Sequence, residues 1–349
     1  MLSAKQIEKV RHYLQKAQNP LFLFDNDVDG LCSFLLLARF CGKGKGVVIK
    51  SFPALNSAYI RRLYEFKPDY VFVLDKPLIE KGFREAAYEM NIPIIWLDHH
   101  PIPDYFDEKG ISYFNPLQNK KSNEPISFWS YKITKNKKDE WIAMIGCLAD
   151  WYIPEFAESF AKEYPDLFVM TKNPAKALYE TEAGILVKML SFALKDRTST
   201  VVKMLKNLLT IKDPHELFDI TFKTASIHKR YKQINKKYEK ILSKAREIAR
   251  SPTSKKILFF QYGGELSLSS ELSNELLYLY PDRIIVVIHI KGTKANVSIR
   301  GKINVRDLVA KALEGIESTS GGHEQASGAT LNVEDLPKFR DRLFNLLKK

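Results

Sequence analysis

Leu21-Phe22-Leu23-Phe24-Asp25-Asn26-Asp27-Val28-Asp29-Gly30 is the stretch on which the fold turns. Four consecutive apolar residues run straight into three alternating aspartates and a glycine, and the mainly apolar segment Leu31 to Phe40 that follows reads as a buried helix. Two further runs have the same shape: Tyr70-Val71-Phe72-Val73-Leu74 leads into Asp75, and Ile92-Pro93-Ile94-Ile95-Trp96-Leu97 leads into Asp98-His99-His100. Unbroken apolar runs of strand length mark strands covered on both faces of a parallel sheet. In open α/β sheets, residues just beyond the carboxyl ends of such strands meet in one crevice.

Taken singly, each acidic segment has an ordinary explanation. Asp25 to Gly30 suits the N-terminal cap of the helix that follows, and Asp75 suits a turn, with Pro77 in the first turn of a new helix. Asp98-His99-His100 is harder to dismiss, because with seven histidines in 349 residues this tripeptide is roughly a one per cent accident. Brought together, and joined by Asp150, these carboxylates repel one another strongly unless protons bind or divalent cations neutralise them. At neutral pH, metal is the less costly answer.

The run Asp25-x-Asp27-x-Asp29-Gly30, then Asp75, Asp98-His99-His100 and the Asp150 of Cys147-Leu148-Ala149-Asp150, resembles the four motifs of the DHH phosphoesterase superfamily. A second signature, Gly321-Gly322-His323-Glu324-Gln325-Ala326-Ser327-Gly328-Ala329, resembles the Gly-Gly-His motif of the DHHA1 domain. The resemblance covers nearly the whole chain apart from its middle. It implies that Asp25 and Asp27 hold one metal ion, that Asp29, His99 and Asp150 hold another, and that Asp75 bridges them. It also implies that His100 faces the scissile phosphate with Asp98 behind it, and that Arg300, in Val297-Ser298-Ile299-Arg300-Gly301, grips a substrate phosphate beside Ser298, Gly321, Gly322 and His323. Two positions depart from the pattern: Asp25 stands where many members have His, and Lys76 follows the bridging aspartate where a smaller residue is common.

Two cations about 3.5–4 Å apart, Mn²⁺ with Mg²⁺ as a substitute, would activate a water in line with the phosphorus. Arg300 would neutralise non-bridging oxygens with a planar fork. The segment from 321 to 328 reads as a Gly-rich loop whose amides approach a phosphate.

A formal net charge of +13 sits oddly with so acidic a site, so the basic residues are concentrated elsewhere. A large anionic partner explains this; the surface chemistry of a thermophile is the alternative. From Lys223 to Arg250, Ile227, Tyr231, Ile234, Tyr238, Ile241, Ala245 and Ile248 form an apolar stripe of a long helix. Lys229, Arg230, Lys232, Lys236, Lys237, Lys240, Lys244, Arg246 and Arg250 cover its other faces, suited to tracking a nucleic-acid backbone. The seven-residue spacing also allows a coiled coil.

The expected fold class is α/β: an N-terminal DHH domain over 1–150 with a doubly wound, mainly parallel sheet, a helical insert and long basic connector helix over 151–252, and a smaller α/β DHHA1 domain over 253–349. Among the expected elements are helices from Ser3 to Gln18, Pro174 to Leu194 and Val333 to Lys348, a polar loop from Asn115 to Glu124, and a cleavage groove between the domains. Cys32, Cys41 and Cys147 show no zinc spacing and read as reduced thiols. With no bilayer-spanning run and no leader at Met1, the expectation is a soluble cytoplasmic protein.

Three functions compete. A RecJ-like exonuclease, similar to the compact archaeal proteins of that type, would release nucleotides from single-stranded DNA or RNA, with a lean towards 3′→5′ polarity and with a replication factor or repair helicase as partner. A nanoRNase-type enzyme would act on short oligonucleotides, cyclic dinucleotides or 3′-phosphorylated nucleotides. A non-catalytic scaffold would have lost ligands that this chain retains. Charge favours the polymer substrate over the dinucleotide.

Overall fold

A computed structural model describes residues 1–106, 108–119, 124–251 and 256–347. They fall into two compact units, Met1–Lys232 and Gln233–Lys349. The boundary expected at 252–253 lies outside the described residues, as do part of the loop expected over 115–124 and the end of the helix expected to reach Lys348.

The first unit is built on strands β1 (Leu21–Asp25), β2 (Lys45–Ile49), β3 (Val71–Leu74), β4 (Ile94–Leu97) and β5 (Ile111–Phe114), all parallel, in the order β2-β1-β3-β4-β5. The apolar runs are continuous because both faces are covered. Phe22, Phe24, Phe72, Leu74, Ile95 and Leu97 join one core with α1 (Ala4–Lys16) and α2 (Val28–Cys41). Leu21, Leu23, Val71, Val73, Ile94 and Trp96 join the other with α3 (Ile60–Phe66) and α4 (Lys81–Glu89). Each such side chain taken wholly out of water contributes about 1.5–3 kcal/mol. This is the expected doubly wound sheet, and its strand order reverses between β1 and β3, where such sheets open a crevice.

Register aligns the strand ends. Phe24 pairs with Leu74, Leu74 with Leu97 and Leu97 with Phe114. The next residues, Asp25, Asp75, Asp98 and Asn115, therefore emerge side by side at the sheet's carboxyl edge.

Helices α5 (Ile126–Thr134) and α6 (Glu140–Ala149) complete the first core. Gly146 lets α6 come close, since a Cβ there would lie 2.5 Å from the Ser127 side chain and 2.8 Å from Cys32 Cβ. The helix expected over 174–194 is two helices, Pro174–Tyr179 and α7 (Glu182–Leu194). Thr181 divides them, its hydroxyl accepting from the Gly184 amide at 3.3 Å as the N-cap of α7.

Helix α8 (Ala225–Ala249) contains the division between the units. Its buried positions are Ile227, Ile234, Tyr238, Leu242, Ala245 and Ala249, while Ile248 is 41% exposed. The strict heptad expected through Ile241 and Ile248 is thus corrected: an unsupercoiled helix turns every 3.6 residues, so its inner stripe drifts by one position along this length.

In the second unit, β6 (Ile257–Gly263), β7 (Ile284–Lys291), β8 (Lys294–Arg300), β9 (Ser318–His323) and β10 (Ala326–Asn332) form a sheet in the order β9-β10-β8-β7-β6. Among the described residues, only β6 and β7 pair in parallel. Helix α9 (Ser269–Leu279) lies in sequence between β6 and β7. Val297 and Ile299 point into a core with α10 (Val305–Leu313) and α11 (Leu336–Leu346), so Ser298 and Arg300 alternate onto the other face. The helix expected from Val333 begins as a short 3-10 turn, Val333–Asp335, before α11.

Candidate metal centre

Asp27 and Asp29 are placed by the start of α2. Asp27 is its N-cap, accepting from the Gly30 amide at 2.8 Å. Asp29, in the first turn, is wholly buried and accepts from the Ile126 and Ser127 amides, both at 2.8 Å. These amides open α5, which has no side-chain cap of its own. A residue larger than Gly30 would drive its Cβ to 2.8 Å from the Asp25 carbonyl oxygen.

Asp75 follows β3 with φ of 55°, a left-handed conformation that Asp adopts more readily than most residues. Its Oδ1 lies 3.2 Å from His99 Nε2 and 3.9 Å from His100 Nδ1, is buried, and makes no hydrogen bond among the described residues. His99 Nε2 is also 3.4 Å from an oxygen of Asp150, the residue that caps the end of α6. Donor atoms of Asp29, His99 and Asp150 converge within 4.8 Å, as do those of Asp75, His99 and His100.

Crowding shows in the protonation equilibria. Burial, then the charges of Asp25 and Asp29, raise the Asp27 carboxyl to about 7. Burial and then Asp150 raise Asp29 to about 8, while burial and then Asp27 raise Asp150 to about 7. Asp75 is pushed well above the carboxylate range by burial and then by Asp27, Asp29 and Asp150. A buried carboxyl oxygen without a hydrogen bond, facing an imidazole and carboxylates that resist ionisation together, is the environment a hard divalent cation relieves. The donor set of oxygens and imidazole nitrogen fits Mn²⁺ or Mg²⁺.

Asp98 stands behind His100. It is buried, its Oδ1 accepts from His100 Nδ1 at 2.8 Å, and its Oδ2 accepts from the Tyr113 hydroxyl at 3.1 Å. Asn115, wholly buried, donates to the Tyr113 hydroxyl at 2.7 Å and to the His100 carbonyl at 2.8 Å. Burial works against a charged His100 ring, but the hydrogen bond and charge of Asp98, then Asp150 and Asp25, outweigh it and raise the ring to about 9. Tyr113 and Asn115 were not singled out from the sequence; Asn115 is the buried anchor of a segment that reads as a polar loop. Lys76 is the other surprise, for its Nζ lies 2.7 Å from Asp25 Oδ1.

The second unit holds the remaining candidates. Arg300 Nε donates to Asn274 Oδ1 at 2.6 Å, and Nη1 to Ser298 Oγ at 3.0 Å, so neighbours on β8 and α9 orient the guanidinium. Residues 321–328 are a hairpin rather than the expected loop: Gly321 pairs with Gly328 and His323 with Ala326, around Glu324 and Gln325. Gly322 has φ of 132° and passes so close to Ala326 that a Cβ would clash with its carbonyl. Since Arg300 also pairs with Ala326, Arg300, Ala326 and His323 form one cross-strand row, with Ser298, Gly328 and Gly321 in the parallel row.

Residues 254–349 match the family model of the DHHA1 domain. No curated protein matches the sequence. Among solved structures, RecJ from Thermus thermophilus in complex with Mn²⁺ is similar in fold, with a TM-score of 0.65 and 14% identity over 98% of this chain and 55% of that one. This chain thus spans about half the length of that protein. The DHH domain of a member of a family of ribosomal proteins gives a TM-score of 0.72 at 12% identity, covering 99% of this chain and 91% of the other. A pGpG-specific phosphodiesterase from Vibrio cholerae gives 0.53 at 13% identity, covering 95% and 99%.

Proposed function

We propose that this chain is a metal-dependent phosphodiesterase of the DHH/DHHA1 superfamily that removes nucleotides from single-stranded DNA or RNA. The observation that carries the chemistry is the convergence of donor atoms in two groups that share His99, one with Asp29 and Asp150 and one with Asp75 and His100, with the Asp98–His100 pair beside them. Asp29, Asp75, His99 and Asp150 would hold Mn²⁺ or Mg²⁺. A bound divalent cation supplies Lewis-acid stabilisation of charge on phosphoryl oxygens and a nucleophile competent at neutral pH.

The chain's own groups do the rest. Asp98 orients the His100 ring through the 2.8 Å hydrogen bond to Nδ1, so that the ring would serve as a donor to an anionic phosphoryl oxygen or to a departing alkoxide. Tyr113 and Asn115 keep Asp98 in place, so the ring is aimed before substrate arrives. On the second unit, Arg300 would bind a substrate phosphate, its fork fixed by Asn274 and Ser298. The open backbone at Gly321 would admit sugar or phosphate beside it.

A polymer substrate is supported by α8, on which Lys229, Lys232, Lys236, Lys237, Lys240, Lys244 and Arg246 are all exposed, and by the net charge of +13. A replication or repair protein would be its partner; a pull-down from native extract that yields none removes that part of the reading. A second reading, a phosphoesterase of very short oligonucleotides or cyclic dinucleotides, is supported by the likeness in fold to the pGpG-specific enzyme.

Digestion of end-labelled single strands from about two to about forty nucleotides long, in Mn²⁺ at several salt concentrations, separates the two. Long strands should be degraded, with a rate that falls steeply as salt rises. Loss of only the shortest oligomers, with little salt response, selects the second reading. No hydrolysis of any of them removes both.

A further inference from the structure

The two-ion arrangement implied by the resemblance to the DHH superfamily places one cation on Asp25 and Asp27. The side chains do not fit it. Lys76 is wholly buried, and its Nζ donates to Asp25 Oδ1 and to the Ser51 carbonyl, both at 2.7 Å. Its backbone is pinned as well, since the indole of Trp96 donates to the Lys76 carbonyl at 2.7 Å. The ammonium is therefore no mobile surface charge that could swing aside. It enters the carboxyl edge from the strand end that carries Asp75, and it occupies one of the two carboxylate oxygens of Asp25.

A divalent ion ligated by a carboxylate sits about 2.0–2.2 Å from its oxygen. On Asp25 it would lie within a few ångströms of a fixed ammonium in a poorly solvated pocket, where like charges repel strongly. Among the described residues, the two groups of converging donors include neither Asp25 nor Asp27. The other side of the site differs: Asp75 Oδ1 is buried without a hydrogen bond and faces His99.

We propose that Lys76 takes the place of one of the two cations, so that this chain loads a single divalent ion at Asp29, Asp75, His99 and Asp150 beside a permanent Asp25–Lys76 pair. The inference rests on the metal-dependent phosphodiesterase reading and specifies its metal content. It also gives the pair a task. A lysine ammonium is a compact, hydrated-ion-like charge with three donors, so it supplies a fixed positive charge at the edge of the pocket without depending on a second ion's supply.

The test is to saturate the metal-free protein with Mn²⁺, remove the excess by dialysis, count the metal by elemental analysis, and record electron paramagnetic resonance. One manganese per chain with the spectrum of an isolated ion is expected. Asp25→Asn should keep that ion, and Asp150→Asn should weaken it by at least about 100-fold. Lys76→Met should admit a second ion and produce the spectrum of an exchange-coupled pair. If Lys76→Met does not fold, the wild-type count and the Asp25→Asn result still decide. Two coupled ions in the wild-type protein, loss of the ion in Asp25→Asn, or a single ion in a folded Lys76→Met would each overturn the inference. The phosphodiesterase reading would survive those outcomes if the strands are still cut. A protein that takes up no ion at all overturns both.

Discussion

Replacing Asp29 by alanine should loosen the start of α5 before any question of metal arises. In the metal-free protein this one carboxyl accepts both the Ile126 and the Ser127 amides, each at 2.8 Å, and it lies wholly out of water. Pro125 occupies the N-cap of that helix and offers no side-chain acceptor. Asp29→Ala therefore orphans two buried amides, each at a cost of about 1–2 kcal/mol when water reaches the site only in part. A total of about 2–4 kcal/mol corresponds to amide exchange faster by roughly 30- to 700-fold. Asp29→Asn keeps one acceptor and turns its NH₂ towards the other amide, so an increase of about tenfold is expected. Hydrogen exchange on the metal-free protein reads this directly in a peptide spanning Pro125 to Ser130, with the β7 strand of the other unit as the control that should not change. Unaltered exchange at Ile126 and Ser127 in Asp29→Ala would refute the reasoning, and equal acceleration in β7 would show general unfolding instead.

Other consequences are open to measurement. Because folding raises Asp27, Asp29 and Asp150 above the usual carboxylate range, to between about 7 and 8, the metal-free native state binds more protons than the unfolded chain between acid and neutral pH. Their contribution is intact in acid and is lost as pH rises through the folded values, so the metal-free protein should melt lower at pH 8.5 than at pH 5.5, with Mn²⁺ narrowing the difference. Near neutrality, Mn²⁺ uptake should release protons, seen as calorimetric heats that change with the buffer's ionisation enthalpy; equal heats in two buffers would remove this account. Arg300→Ala should raise KM by roughly 10- to 150-fold through lost charge-assisted hydrogen bonds to phosphate, with the metal count unchanged. Gly146→Ala would place a methyl 2.5 Å from Ser127 and 2.8 Å from Cys32. It should cost about 1–3 kcal/mol in a thermal shift and also weaken Mn²⁺, since it displaces the helix that ends at Asp150.

How much of this could be read from the sequence depends on where each residue's partners lie. The apolar runs before Asp25, Asp75 and Asp98 were legible because a strand covered on both faces carries its environment in its own composition. Helix α5 was not, since Ile126-Ser127-Phe128-Trp129-Ser130-Tyr131 is rich in residues of modest helix propensity and its cap is supplied by Asp29, 97 positions earlier. The task of Lys76 was hidden for the same reason: its carboxylate partner lies 51 residues back, across the β1–β3 pairing. Tyr113 and Asn115 become meaningful only once register sets them beside Asp98. The Gly-Gly-His segment reads as a loop because glycine is depleted in strands, yet pairing of Gly321 with Gly328 supplies the ladder that composition withholds.

Capping and chemistry are one arrangement here. Asp27 closes the first turn of α2 through Gly30 and Asp29 closes that of α5 through two amides, so each carboxylate is aimed by backbone donors whose positions the helices fix. Such anchoring holds the groups at a spacing they would otherwise relax, and repulsion together with desolvation then raises their proton affinity. A carboxylate on a mobile loop would turn outward to water and leave no pocket. The fold thus retains an unfavourable cluster by making its members necessary to two helix starts, and the free energy held in that cluster is what a cation recovers on binding. Loss of the ion should accordingly be felt first at the beginnings of α2 and α5, ahead of the sheet itself.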